Sequence, residues 1–439
     1  MTLVDLTPPV LATDRLTTLP VVIIGAGPVG LAAAANLVER GIDFIILEAG
    51  DRVGASVRLW GHTRLFSPWR HVVDPASRRL LEPIGWTPPV DEDRAPTGRE
   101  LVDDYLVPLA EVQEIRSALR CGTRVVAVSR VGMDRTRTAG RDGTPFLVRV
   151  QTAEGQTEDL AARAVIDASG TYGSPNPLNS SGLDAAVTGV VGDRVLPALP
   201  DVLGAERDRF AGRHTTVVGA GHSAVNTLIS LGELAKDEPG TRITWLIRTP
   251  SAVRVSASAD DELAERARLG SRIDGLVDTG LIEKIDSFEV EGLEPLGDGV
   301  RIVGSRRGER ATHDTELVVS ATGFRPDLTM LREIRLHLDE IVEAPVRLAP
   351  LIDPNLHSCG TVPPHGFDEL RHPESGFFVV GMKSYGRAPT FLLATGYEQV
   401  RSVIAWLDGD MRAASRVQLT LPATGVCSTG TADAGACCS

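Results

Sequence analysis

Two glycine-rich turns, each set between an apolar strand and a helix, constrain this chain more than any other feature. The first follows the apolar run VVII (21–24) and reads Gly25-Ala26-Gly27-Pro28-Val29-Gly30. LAAAANLVERG then carries a helix pattern, FIIL (44–47) is a second apolar strand, and Glu48 ends it. A strand buried on both faces is apolar throughout, as in a parallel sheet. Gly25 permits the tight turn, Gly27 lets the backbone approach a pyrophosphate, and Gly30 lets helix and strand pack closely. The helix start brings its N–H groups and the positive end of its dipole to the phosphates. Glu48, 18 residues past Gly30, stands where an acid accepts from a ribose hydroxyl. Strand, glycines, helix, strand and acid in that order predict a dinucleotide-binding βαβ unit, against the alternative of a glycine turn that binds nothing.

The second turn begins 194 residues after the first. TTVV (215–218) is followed by Gly219-Ala220-Gly221-His222-Ser223-Ala224, the helix pattern VNTLISLGELA and the strand ITWLI (243–247). Ala224 in the third small position still lets the helix approach the strand. The strand ends in Arg248, not an acid. An acid there repels a 2′-phosphate, whereas a guanidinium binds one through a bidentate pair. NADPH is therefore expected over NADH, with Arg254 as an assisting cation. The alternative for Arg248 is a solvated surface arginine. His222 reads as a loop residue near the nicotinamide cleft, with no catalytic role. Two such units predict two nucleotide domains, one inserted in the other.

Composition narrows the class. A chain of 439 residues is too long for one ordinary core and predicts two or three domains. The net charge of −13 and an aromatic content of 4% argue against nucleic-acid and anionic-membrane partners. No apolar run reaches the roughly 18 residues that span a bilayer, and residues 1–20 lack the basic start of a signal peptide. A cytoplasmic location is the expectation. Five cysteines do not make a disulfide scaffold. Cys121, at the head of the apolar strand TRVVAVS, reads as a core residue.

Two more segments, VIDASGTYGSP (165–175) and LVVSATGFRPD (317–327), each carry an apolar strand, a small-residue turn and a later proline. Together with Pro28 after the second glycine and Arg52-Val53-Gly54, they resemble FAD-binding flavoproteins with two dinucleotide domains. That group includes the flavin-containing monooxygenases, the Baeyer–Villiger monooxygenases and the thioredoxin-reductase-like enzymes. The resemblance covers about residues 18–410. Within it, GHTRLFSPW (61–69), APLIDPNLHSCGTVPPHG (349–366), GMKSYGRAPTFLLATGYEQVRS (381–402), LPATGVCS (421–428) and the terminal Cys437-Cys438 resemble flavin-binding monooxygenases encoded in arsenic-resistance operons.

The resemblance implies an α/β fold of two Rossmann-like dinucleotide-binding domains. An extension (1–17) precedes a first FAD-domain segment (18–205). An NAD(P) domain (206–313) is inserted before the second FAD segment (314–415), and a tail (416–439) follows. FAD and NADPH are the implied cofactors. The FAD set is Gly25, Gly27, Pro28, Gly30, Glu48, Gly54, Val126, Gly170, Gly381 and the backbone amides of Thr390 and Phe391 at a helix start. The nicotinamide set is Gly219, Gly221, His222, Ser223, Ala224, Arg248, Thr322 and Gly323. The implied chemistry begins with hydride transfer from the nicotinamide to the flavin. No residue is assigned as a side-chain acid or base.

The chain also departs from these relatives. Residues 171–214 lack the monooxygenase pattern FxGxxxHxxx(F/W/Y), the whole chain lacks CxxC, and Gly381-Met382 stands where many disulfide reductases carry Gly-Asp. His357, Cys359 and His365 lie together, but their spacing fits no standard zinc site; a rigid, metal-free loop near the flavin is expected. The small polar tail cannot build a core. Its Cys427, Cys437 and Cys438 are either incidental or soft ligands for a thiophilic metalloid. Three readings stay open: an oxygenating enzyme acting on a small substrate, which the operon resemblance implies is arsenic-related; a reductase of a metal, metalloid or other acceptor; and a non-catalytic metalloid-binding protein. A homodimer is the expected assembly.

Overall fold

The computed structural model describes residues 16–419, apart from 90, 185, 188–190, 253–263, 354–361 and 389–390. Two five-stranded parallel sheets form its framework. In the first, β1 (Val21–Ile24) lies between β2 (Phe44–Leu47) and β7 (Ala164–Asp167), with β3 (Leu119–Arg120) and β17 (Phe377–Val379) at the edges. β1 pairs in parallel on both sides, Val21 opposite Phe44 and Ala164. All four of its residues are buried, which is why the run contains no polar residue. Helix Pro28–Glu39 covers this sheet and is itself packed against helix Leu393–Leu407. Its alanines at 32–35 are fully buried and allow that close approach.

The second sheet repeats the plan. β10 (His214–Val218) lies between β11 (Arg242–Leu246) and β16 (Leu317–Ser320), with β12 (Ile282–Ile285) and β9 (Val195–Leu196) outside. Helix His222–Asp237 packs on it through Leu228, Leu231 and Leu234. Each fully buried leucine of this kind contributes roughly 1.5–3 kcal/mol. In both sheets the chain leaves the central strand first to one side and later to the other. That creates the crevice at the strand ends where nucleotides bind in doubly wound sheets.

The sheets differ in one respect from the expected bounds. The second draws β9 and β16 from outside 206–313, because β16 pairs with β10 in register Thr215–Leu317 and with β9 through Val318–Val195. β9 is two residues long and carries no periodic signal. β4 (Thr123–Arg130), β5 (Phe146–Thr152) and β6 (Thr157–Ala162) form an antiparallel meander. β13 (Phe288–Leu296), β14 (Gly299–Arg306) and β15 (Glu309–Thr315) form another, extended by β8 (Ala186–Val187). A buried carboxylate fastens the first meander to the C-terminal segment: Glu374 accepts from Arg130 Nε at 2.8 Å and Arg141 Nε at 3.0 Å. Among the described residues no helix is long and apolar enough to cross a membrane.

The two crossing segments are hydrogen-bonded to each other. Asn176 N–H donates to Gly323 O at 2.9 Å and Arg325 N–H to Ser174 O at 2.9 Å. Thr322 Oγ1 donates to Asn176 O at 2.8 Å, and Asn176 Nδ2 to Thr322 O at 3.2 Å. The chain thus passes between the two sheets twice at one place.

Candidate functional site

The first glycine turn opens directly from β1. Gly25 has φ +100°, and a Cβ there would lie 2.8 Å from Ala168 O. A Cβ on Gly30 would overlap the Gly25 carbonyl oxygen, so only glycine lets the helix sit this close. A Cβ on Gly27 would meet nothing within 4 Å; the space in front of it is open. Gly27 is the extended N-cap and Pro28 the first helical residue. The helix has no side-chain cap and no acid in its first turn. Its leading N–H groups are left to a ligand.

Glu48 at the end of β2 accepts from Ala26 N–H at 2.8 Å and Gly50 N–H at 2.7 Å. A carboxylate has about four acceptor sites, so the ribose bond expected of it remains open. Gly54, at φ +65°, donates its N–H to Ala26 O at 3.0 Å and faces Val102. Val126 sits at a register shift between Val125 and Ala127 and is exposed, so its peptide stands out of the ladder. Gly170, at φ +69°, faces open space.

The second turn has the same stereochemistry. Gly219 has φ +138°, and a Cβ there would overlap Ala321 O; at Gly221 it would meet nothing within 4 Å. Gly221 is the N-cap, so His222 and Ser223 open the helix rather than lying in the loop, and Ala224 is fully buried beneath them. This helix too has no side-chain cap and no first-turn acid. Trp245, buried on β11, donates Nε1–H to Gly219 O at 2.7 Å and holds the turn from below. The His222 ring lies 4.7 Å from that of Phe66, across the cleft from the first domain. Arg248 is exposed and donates to Ser180 O at 3.3 Å. Arg254 lies outside the described residues.

At the C-terminal end, Gly381 follows β17 at φ +68° with Val29 against its Cα. Its N–H donates to Gln399 Oε1 at 2.8 Å. Gln399 Nε2 contacts His365 Nε2 and Ser384 Oγ, each at 2.9 Å. His365 is therefore a buried, hydrogen-bonded core residue, and burial holds its pKa below the ordinary histidine range. His357 and Cys359 lie outside the described residues, as do Thr390, Cys427, Cys437 and Cys438. One expectation is corrected here. The helix starts at Leu393 after an extended Leu392, so Phe391 precedes it and its amide is not in the first turn. The Phe391 ring packs edge-on to Tyr385, 5.1 Å between centroids. Cys121 is only half-buried, in the turn before β4, and burial pushes its thiol pKa up.

Several important contacts carry no motif. Asp167, ending β7, and Lys383 form an ion pair at 2.7 Å with both side chains almost wholly buried. Ser169 Oγ donates to Asp167 at 2.6 Å and accepts from Lys383 at 3.0 Å. The one available signal in the sequence is the scarcity of lysine, of which the chain has three.

A family model described as pyridine nucleotide-disulphide oxidoreductase matches residues 22–347. A ferredoxin–NADP reductase of Ralstonia nicotianae is 28% identical over 324 residues, 69% of this chain and 76% of the relative. Among solved structures, the bacillithiol disulfide reductase of Bacillus cereus has a TM-score of 0.64 at 22% identity, covering 89% of this chain and 99% of its own. The FAD-bound cadaverine monooxygenase of Erwinia amylovora has a TM-score of 0.61 at 16% identity, covering 93% and 99%.

Proposed function

The chain belongs to the pyridine nucleotide-disulphide oxidoreductase family, and from that premise we propose that it is an FAD-dependent oxidoreductase that takes electrons from NADPH and acts, monooxygenase-like, on a small substrate. The observation that carries this reading is the pair of open cradles. Gly27 and Gly221 face free space in front of helix starts that have no side-chain caps and no first-turn acids. Each suits a pyrophosphate, whose charge the amides and dipole stabilise.

Bound FAD would supply the electron relay between nicotinamide and acceptor. The chain's own residues supply binding and orientation. In the first unit Gly25 makes the tight turn, and Gly27 with the leading amides of helix Pro28–Glu39 holds phosphate. Glu48 takes the ribose, the Val126 peptide faces outward, Gly170 leaves room for close approach, and Gly381 lets Val29 of the glycine-turn helix pack against the end of β17. In the second unit Gly219, Gly221, His222, Ser223 and Ala224 form the phosphate turn, Arg248 takes the 2′-phosphate, and Thr322 and Gly323 line the crossing. Two domain segments around an inserted nicotinamide domain, and a homodimer, belong to the same proposal.

The relatives whose names include a monooxygenase and a ferredoxin–NADP reductase support opposite second halves of the reaction. Resemblance of residues 61–69, 349–366 and 381–402 to arsenic-operon flavoproteins supports an arsenical substrate, with the tail cysteines as its carrier. The missing FxGxxxH pattern favours the second reading, electron delivery to an acceptor without oxygen insertion. The deciding experiment is anaerobic reduction of the holoenzyme by NADPH, then reoxidation by dioxygen, arsenite or mercuric ion. Oxygenation predicts oxygen uptake in excess of peroxide released. Complete recovery of the oxygen as peroxide sinks it. A protein that purifies colourless and takes up no FAD sinks the whole proposal.

A further inference from the structure

Between the two nucleotide units lies a cavity of about 280 Å³. Its walls are the 62–66 segment, the turn around Pro200, and one face each of helices His222–Asp237 and Ala264–Asp278. It is separate from the phosphate cradle. The residues it takes from helix His222–Asp237 are Asn226, Thr227, Ile229, Ser230 and Glu233, one to three turns beyond Gly221. Its volume corresponds to roughly nine or ten non-hydrogen atoms at a water's liquid volume each, too little for a dinucleotide.

The lining has an apolar and a cationic part. Leu65, Phe66, Leu199, Leu203, Ile229 and Leu269 supply the first. Arg64 and Arg272 supply the second. Arg64 donates to Ala95 O and is 4.0 Å from Glu100, but Glu100 already accepts from Arg94 at 2.9 Å and from Thr97 N–H at 2.7 Å. Glu233, the lining acid, is shared between Arg272 and Lys236, each at 2.9 Å. Positive charge is thus in excess, beside a wall that favours hydrocarbon. Leu199 adds a mark of a constrained site: φ is +59° in a non-glycine residue immediately before Pro200.

We propose that this cavity binds a small organic acid, an aryl or branched-aliphatic carboxylate, with its apolar body against the leucines and its carboxylate toward Arg64 and Arg272. Its occupancy is coupled to the nicotinamide nucleotide. Phe66 lines the cavity and also touches His222, the first helical residue of the second glycine turn. The coupling rests on the nucleotide assignment proposed above; binding of the acid does not.

Calorimetry of the full-length holoprotein with phenylacetate, and with 2-phenylethanol as the neutral counterpart, tests it. Saturable binding of phenylacetate is expected, with the alcohol about tenfold weaker for want of the charged bond. Leu203→Glu places a like charge at a half-exposed lining position and is expected to weaken phenylacetate about tenfold without lowering the unfolding midpoint. Arg64→Gln should do the same. No saturable heat, or equal binding of acid and alcohol unaffected by Leu203→Glu, overturns the site. Phenylacetate should change NADPH affinity by the factor by which NADPH changes phenylacetate affinity; independence of the two overturns the coupling. Phenylacetate binding in a protein that takes neither FAD nor NADPH refutes the proposed function and leaves the cavity assignment standing.

Discussion

Replacing Lys383 by methionine removes one charge from the buried pair with Asp167 and keeps the length of the side-chain stem. The pair joins residues 216 positions apart, with Nζ 2.7 Å from Oδ2 and both side chains at most 1% exposed. At that distance the gross attraction is roughly 6 kcal/mol for an effective dielectric constant of about 20. Desolvation of the two ions offsets most of it, so the pair contributes little net stability. The single variant is different, because it leaves a carboxylate in the interior whose remaining donors, among the described residues, are Ser169 N–H and Oγ at 3.1 and 2.6 Å. Removal of one partner is expected to cost about 3–5 kcal/mol. Lys383→Met/Asp167→Asn removes both charges and should lie within about 1 kcal/mol of wild type. Urea unfolding followed by tryptophan fluorescence measures all three, and flavin retention should follow the same order because Ser169 adjoins Gly170. A loss below about 1 kcal/mol in Lys383→Met, or a double variant as unstable as the single one, refutes the reasoning.

Three further outcomes are expected. Gly27→Ala should keep circular dichroism and melting midpoint but lose FAD absorbance, since its Cβ enters open space, whereas Gly30→Ala should lower the midpoint itself by driving a methyl into Gly25 O. Arg248→Gln should reduce the NADPH-over-NADH preference in kcat/KM by about tenfold or more, the worth of a charge-assisted bond; an unchanged ratio returns Arg248 to the surface. His214, pushed down to about 4 by burial with help from Arg242 and His313, contacts Thr244 Oγ1 at 2.9 Å. The unfolded chain binds a proton there near pH 6.5 that the folded one refuses. Its stabilisation is therefore complete above about 6.5 and lost as pH falls toward 4, by at most about 1.4 kcal/mol per unit. His372, also near 4, acts alike, while buried Asp74, pushed up to about 6, has the opposite sign. Comparison of urea curves with His214→Gln isolates the one group, and parallel stability–pH curves would count against it.

The nucleotide units were legible because each is local. Strand, turn and helix occupy consecutive residues, and the glycines are dictated by contacts within the turn or to one adjoining strand, as Gly30 is by Gly25. The two crossings were legible for a similar reason, although their mutual bonds, such as Asn176 to Gly323, join segments far apart.

Neighbouring residues are enough to dictate the two βαβ turns, the parallel sheets they require and the phosphate chemistry they suit. Tertiary structure alone decided the start of the last long helix, the membership of Val195–Leu196 in the second sheet, and the burial of His365 beside Gln399. It alone also brought Lys383 to Asp167, Trp245 to Gly219 and Phe66 to His222. The physical reason is range: backbone stereochemistry is written in neighbouring residues, whereas charge pairing, ring contacts and cavities arise between surfaces that meet only when the chain is folded.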